Sequence, residues 1–125
     1  MARILIVDDD ANNRLLLTMV LKHAGHEVTE AENGAGGAEA AFAQRPDVVV
    51  VDLSLPDIGG LDLIKQLRGD ERTCKALIAL YTATRLSAAI EEAVDLYGID
   101  GVIPKPAGPR EILSALDAVL SARRG

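Results

Sequence analysis

Asp8, Asp9 and Asp10 form an uninterrupted acidic run directly after the apolar segment Ile4 to Val7. Three more polar residues stand in the same kind of place. Asp52 follows Val48 to Val51, Thr82 follows the apolar run that starts at Ala76, and Lys105 follows Val102-Ile103-Pro104. Carboxylates crowded together repel, and one of them keeps a proton unless a cation intervenes. Oxygen donors with no His or Cys among them suit a hard divalent ion, Mg2+ or alternatively Mn2+, that retains some of its waters. A lysine opposite such a cluster pairs with a carboxylate at rest and with a phosphoryl group later, and a threonine hydroxyl can hydrogen-bond a phosphoryl oxygen. This set suits phosphoryl transfer onto an aspartate, where positioning and charge neutralisation carry most of the catalysis.

For these side chains to meet, the apolar runs before them must lie side by side. Ile4 to Val7, Val48 to Val51, Ala76 to Leu80 and Val102-Ile103 are nearly all apolar, as strands covered on both faces are in a parallel sheet. Glu27 to Ala31 alternates more and reads as a less buried strand. Helical spacing fills the intervals. Leu15, Leu16, Met19 and Val20 form a first stripe, closed by Gly25. Ala38, Ala41 and Phe42 form a second that stops before Pro46. Leu61, Ile64 and Leu67 precede Gly69, while Ile90, Ala93, Val94 and Leu96 precede Gly98. Ile112, Leu113, Leu116, Val119 and Leu120 follow Pro109. Strand and helix thus alternate five times. Right-handed crossovers then give a doubly wound, parallel five-stranded sheet in a three-layer α/β/α sandwich, with ligands beyond the carboxyl ends of the strands.

Composition narrows the function. The chain has 125 residues, which predicts one domain over 1–125. Thirteen basic against nineteen acidic residues give a net charge of −6, which argues against an unaided nucleic-acid or anionic-membrane binder. Phe42, Tyr81 and Tyr97 are the only aromatics, too few for a base-stacking surface. The single cysteine, Cys74, allows no internal disulfide and reads as a loop or strand-edge residue in a reducing cytoplasm. No targeting segment or membrane span is visible. His23 and His26 read as surface residues, and Arg123-Arg124 as charges that suit a helix C-terminus.

The segments Ile-Leu-Ile-Val-Asp8-Asp9, Val-Val-Asp52-Leu-Ser-Leu-Pro56 with Gly60, Thr82-Ala83 and Lys105-Pro106 occur in this order and spacing. Together they resemble the receiver domain of bacterial two-component response regulators, the CheY-like fold. The resemblance covers Ile4 to about Leu120. It implies that Asp52 is the phosphoacceptor, with Thr82 as the switch hydroxyl and Lys105 as the lysine that pairs with the phosphoryl group. It also implies that Asp9, Asp52 and the backbone carbonyl of Ser54 ligate Mg2+ directly, with Asp8 acting through water. Asp10 falls where the family has a third acid without a fixed role. Ser54 and Thr84 fall where the family tunes the access of water to the acyl phosphate, and the Lys105-Pro106 bond is one the family often holds cis.

The chain departs from the pattern at Val102, where the family usually carries Tyr or Phe; Tyr81 stands instead beside Thr82. The implied partners are a sensor histidine kinase or phosphotransfer protein and an unidentified downstream protein, with no direct nucleic acid and no membrane. The expected role is a single-domain regulator that is its own substrate rather than an enzyme. An excised piece of a larger regulator and a phosphorylation-independent interaction module are the alternatives. An aspartate-nucleophile phosphatase calls for a second Asp two residues after the first, where Ser54 stands. An FMN site calls for a Ser/Thr/Gly-rich phosphate loop where the three acids stand.

Overall fold

The computed structural model describes residues 2–83 and 87–122, so Thr84 and Arg123-Arg124 lie outside the described residues. Strands and helices alternate: β1 (Arg3–Val7), α1 (Ala11–His23), β2 (Glu27–Ala31), α2 (Gly34–Gln44), β3 (Val48–Val51), α3 (Gly60–Arg68), β4 (Leu77–Thr82), α4 (Ala88–Tyr97), β5 (Gly101–Pro104) and α5 (Pro109–Ala122). The strands form one parallel sheet in the order β2-β1-β3-β4-β5. Each side of this sheet is covered. One apolar cluster joins β1, β3 and β4 to α1 and α5 through Ile6, Leu17, Leu21, Ile112 and Leu116. The other joins them to α2, α3 and α4 through Val7, Ala41, Leu63, Ile64 and Ile90.

This double cover explains the all-apolar runs. Alternate residues of β3 face opposite layers, and all four valines are buried. Each fully buried aliphatic side chain contributes about 1.5–3 kcal/mol relative to exposure. β2, at the sheet edge, is only half-covered, which accounts for its alternation. Arg68, at the end of α3, ties the helix to the neighbouring loops by donating to the carbonyls of Cys74, Ala76, Tyr97 and Gly98 at 2.6 to 2.9 Å.

One apolar stripe expected from the sequence points elsewhere, and one residue of another lies off its buried face. In α1 the buried residues are Leu17, Thr18 and Leu21, while Leu15, Leu16 and Met19 are exposed. Asp10 caps this helix by accepting from the Asn12 and Asn13 amides. The first turn is thereby fixed, and 100° per residue then carries 17, 18 and 21 inward. Leu15, Leu16, Met19 and Val20 have a helical spacing of their own, and spacing alone does not say which of two apolar stripes meets the sheet. In α4, Ile90 and Ala93 are buried, but Leu96 is 71% exposed because it lies off the face they define. Val102 packs with the α4 side, and beside it Glu91, Val94, Asp95 and Val102 line an open groove of about 370 Å³.

Candidate functional site

The ladder of the sheet runs one residue beyond the strands and sets the acids in place. The Asp8 amide donates to the Ala31 carbonyl at 3.1 Å, and the Asp52 amide to the Val7 carbonyl at 3.0 Å. Asp8 and Asp52 therefore end neighbouring strands, β1 and β3, at the point where strand order reverses. Both are buried, whereas Asp9 is exposed. The carboxylates of Asp8, Asp9 and Asp52 bring ligand atoms within 4.8 Å of one another.

Lys105 reaches the pair from β5. Its backbone amide donates to the Thr82 carbonyl at 2.9 Å, which fixes the loop, and the Lys105-Pro106 peptide is cis. Nζ then lies 3.0 Å from Asp52 Oδ2 and 3.1 Å from Asp8 Oδ2. Burial works against the charged lysine, but the two carboxylates outweigh it and hold its pKa above the usual lysine value. Burial has the opposite effect on Asp8 and raises its pKa, although the Asp10 amide and Lys105 both favour its ionised form.

The remaining contacts orient these groups. The Ser54 amide donates to Asp52 Oδ1 at 3.0 Å, and the Asp10 amide to Asp8 Oδ1 at 2.9 Å. Thr82 is buried at the end of β4, opposite Pro104 of β5. Gly60 admits the approach of α3 to the acceptor strand: a Cβ there would lie 2.3 Å from the Asp52 carbonyl oxygen. The structure thus gathers Asp8, Asp9, Asp52 and Lys105 at one edge, with Ser54 and Thr82 flanking them. Asp10 is not part of this carboxylate group and serves as the α1 cap.

Several residues around the site carry little signal in the sequence. Arg14 Nη1 donates to the Asp8 carbonyl at 2.7 Å. Asp57 accepts from the Gly34 and Ala35 amides at 2.7 and 2.8 Å, latching the loop after Asp52 to the start of α2. Tyr81 lies under Lys105, with its ring centroid 5.0 Å from Nζ. Of the histidines, His23 is exposed, but half-buried His26 accepts from the Ala2 amide. Cys74 is a half-buried loop residue.

The donor set fits a hard divalent cation. It consists of oxygens, two of the three carboxylates are buried, and Asp8 Oδ2 has no hydrogen-bond partner among the described residues apart from its ion pair with Lys105. Among the described residues, no helix is long and apolar enough to cross a membrane.

The profile of the response regulator receiver domain matches residues 4–117. The chain belongs to this family. Receivers are the signal-accepting domains of two-component systems, and the fold agrees. The receiver is similar to PilH of Pseudomonas aeruginosa, with 34% identity over 97% of this chain and 99% of that protein. It is likewise similar to the chemotaxis protein CheY of Thermotoga maritima, at 34% identity over 94% of this chain and 96% of that one. The phosphate regulon regulator PhoB of P. aeruginosa is 36% identical over 94% of this chain, but that match spans only 51% of PhoB. Among solved structures, CheY4 of Vibrio cholerae superposes with a TM-score of 0.88 at 28% identity, covering 95% of this chain and 98% of that one.

Proposed function

We propose that residues 1–125 are one receiver domain in which Asp52 accepts a phosphoryl group from a phosphohistidine, and that the product alters protein contacts. The observation that carries this reading is the convergence of Asp8, Asp9, Asp52 and Lys105 from three strand ends, with Lys105 Nζ 3.0 Å from Asp52 Oδ2. Asp9, Asp52 and the Ser54 carbonyl would hold Mg2+ or Mn2+ directly, with Asp8 acting through water. When bound, the cation neutralises charge on the transferring phosphoryl oxygens.

This chain's residues do the rest. The Ser54 amide and Lys105 orient the Asp52 carboxylate. One Asp52 oxygen attacks phosphorus in line, the P–N bond breaks, and the imidazole leaves with the electron pair. Lys105 then pairs with a phosphoryl oxygen, and the Thr82 hydroxyl turns toward another. Later, water attacks phosphorus, the acyl phosphate P–O bond breaks, and the carboxylate and inorganic phosphate return. The chain is its own substrate. A sensor histidine kinase or a phosphotransfer protein supplies the group in the cytoplasm, and a downstream protein reads the new dianion.

The test is transfer from a phosphotransfer protein radiolabelled on histidine. Label should move to the receiver and be released by hydroxylamine, as an acyl phosphate requires. Label that stays on the donor, or resists hydroxylamine on the receiver, would overturn the reading.

A further inference from the structure

Tyr81 and Val102 lie on opposite faces of the sheet. Val102 packs toward α4 with the second apolar cluster, whereas Tyr81, only 2% exposed, packs with α1 and α5 in the first. The Tyr81 ring centroid lies 5.0 Å from Lys105 Nζ, and Ala107 belongs to the same buried cluster as Tyr81. One buried side chain is thus close to Lys105 on one side of the Lys105-Pro106 bond and shares its cluster with Ala107 on the other. We propose that Tyr81 is a positioning residue for Lys105, holding its ammonium where it bridges Asp8 and Asp52.

A lysine head rides on a flexible four-carbon stem, and fixing it costs rotamer freedom. The carboxylates attract the ammonium but leave it a range of orientations, because its charge is compact and carries three donors. The ring face limits that range. Its quadrupole attracts the cation, and desolvation strengthens the contact. Lys105 is only 15% exposed here. The Tyr81 ring is itself buried, in the cluster that also holds Ala107, Ile112 and Leu116. A leucine at position 81 would fill much of the same space without offering the quadrupole.

The proposal rests on the phosphoacceptor reading for its catalytic consequence but not for the contact itself, and the test separates the two. In the metal-free protein, the ε-methylene protons of Lys105 should be shifted upfield by the ring in the wild type and Tyr81→Phe. In Tyr81→Leu they should return to ordinary lysine positions. With Mg2+ and phosphoramidate, Tyr81→Phe should keep at least about half the wild-type phosphorylation rate, and Tyr81→Leu should lose about fivefold. In a Lys105→Met background, Tyr81→Leu should cost nothing further, because its effect passes through the lysine. Circular dichroism identifies any variant that fails to fold, and Tyr81→Met then replaces it. Unshifted Lys105 protons in the wild type would overturn the proposal. So would a Tyr81→Leu rate equal to wild type, or the same loss with and without Lys105. If the wild type accepts no phosphoryl group, the phosphoacceptor reading fails, and the proton shift still decides whether Tyr81 holds Lys105.

Discussion

Lys105 and Asp52 are 53 positions apart in sequence, yet Lys105 Nζ rests 3.0 Å from Asp52 Oδ2. The contact exists because β3 and β5 flank β4, and because the Lys105 amide is tied to the Thr82 carbonyl at the end of that middle strand. The ammonium sits against two of the three carboxylates that would receive a divalent cation.

The lysine and the cation therefore compete for the same negative charge. Lys105→Met should tighten Mg2+ binding by about tenfold at low ionic strength, since a like charge within a few ångströms is removed. Isothermal titration at two salt concentrations measures this, and the gain should shrink as salt rises. Unchanged or weaker binding would show that Lys105 does not oppose the ion.

Asp8 lies on the strained side of this balance. Burial raises its pKa above the ordinary carboxylate value, so ionising it costs the folded chain more than the unfolded chain. The penalty is present at neutral pH and fades as pH falls through the folded value towards the unfolded one. Asp8→Asn should accordingly raise Tm by about 3 °C in EDTA at pH 7. The gain should vanish below about pH 4, where both proteins are neutral at this position. Thermal unfolding across that range gives the answer.

The Asp57 latch has the opposite sign. Hydrogen bonds from the Ala35 and Gly34 amides hold its pKa below the ordinary carboxylate value. Its contribution is present above the unfolded value and is lost as pH falls through the folded one. Asp57→Ala should therefore lower Tm slightly at pH 7 but not in strong acid. It should also speed amide exchange at Gly34 and Ala35, read by NMR, while exchange within β3 stays slow.

Gly60 sets how closely α3 approaches the acceptor strand. Gly60→Ala would drive a methyl group against the Asp52 carbonyl, at an expected cost of about 2 kcal/mol in urea unfolding. A variant as stable as the wild type would mean that α3 can retreat freely.

Much of this arrangement is legible in the sequence, for a physical reason. Strands buried on both faces must be apolar throughout, so Val48 to Val51 ends sharply at Asp52, and the polar residue at each strand end marks the ligand edge. The site acids and Lys105 are found this way. Helix faces are harder to read, because α1 carries two apolar stripes and only the tertiary contact selects Leu17 and Leu21 over Leu15 and Met19. Asp10 illustrates a second difficulty. Three consecutive acids look alike in sequence, but strand geometry buries Asp8 and exposes Asp9, and the start of α1 takes Asp10 as its cap. Tyr81 under Lys105 and Asp57 on α2 join residues 24 and 22 positions apart or more, and no local pattern announces such pairs.

The phosphoacceptor assignment is tested most directly by intact mass after incubation with Mg2+ and phosphoramidate, beside an Asp52→Asn variant. The wild type should gain one phosphoryl group, and neither the variant nor the wild type in EDTA should gain any. An unmodified wild type that also fails to bind beryllofluoride, or an Asp52→Asn variant modified as fully as the wild type, would contradict Asp52 as the acceptor.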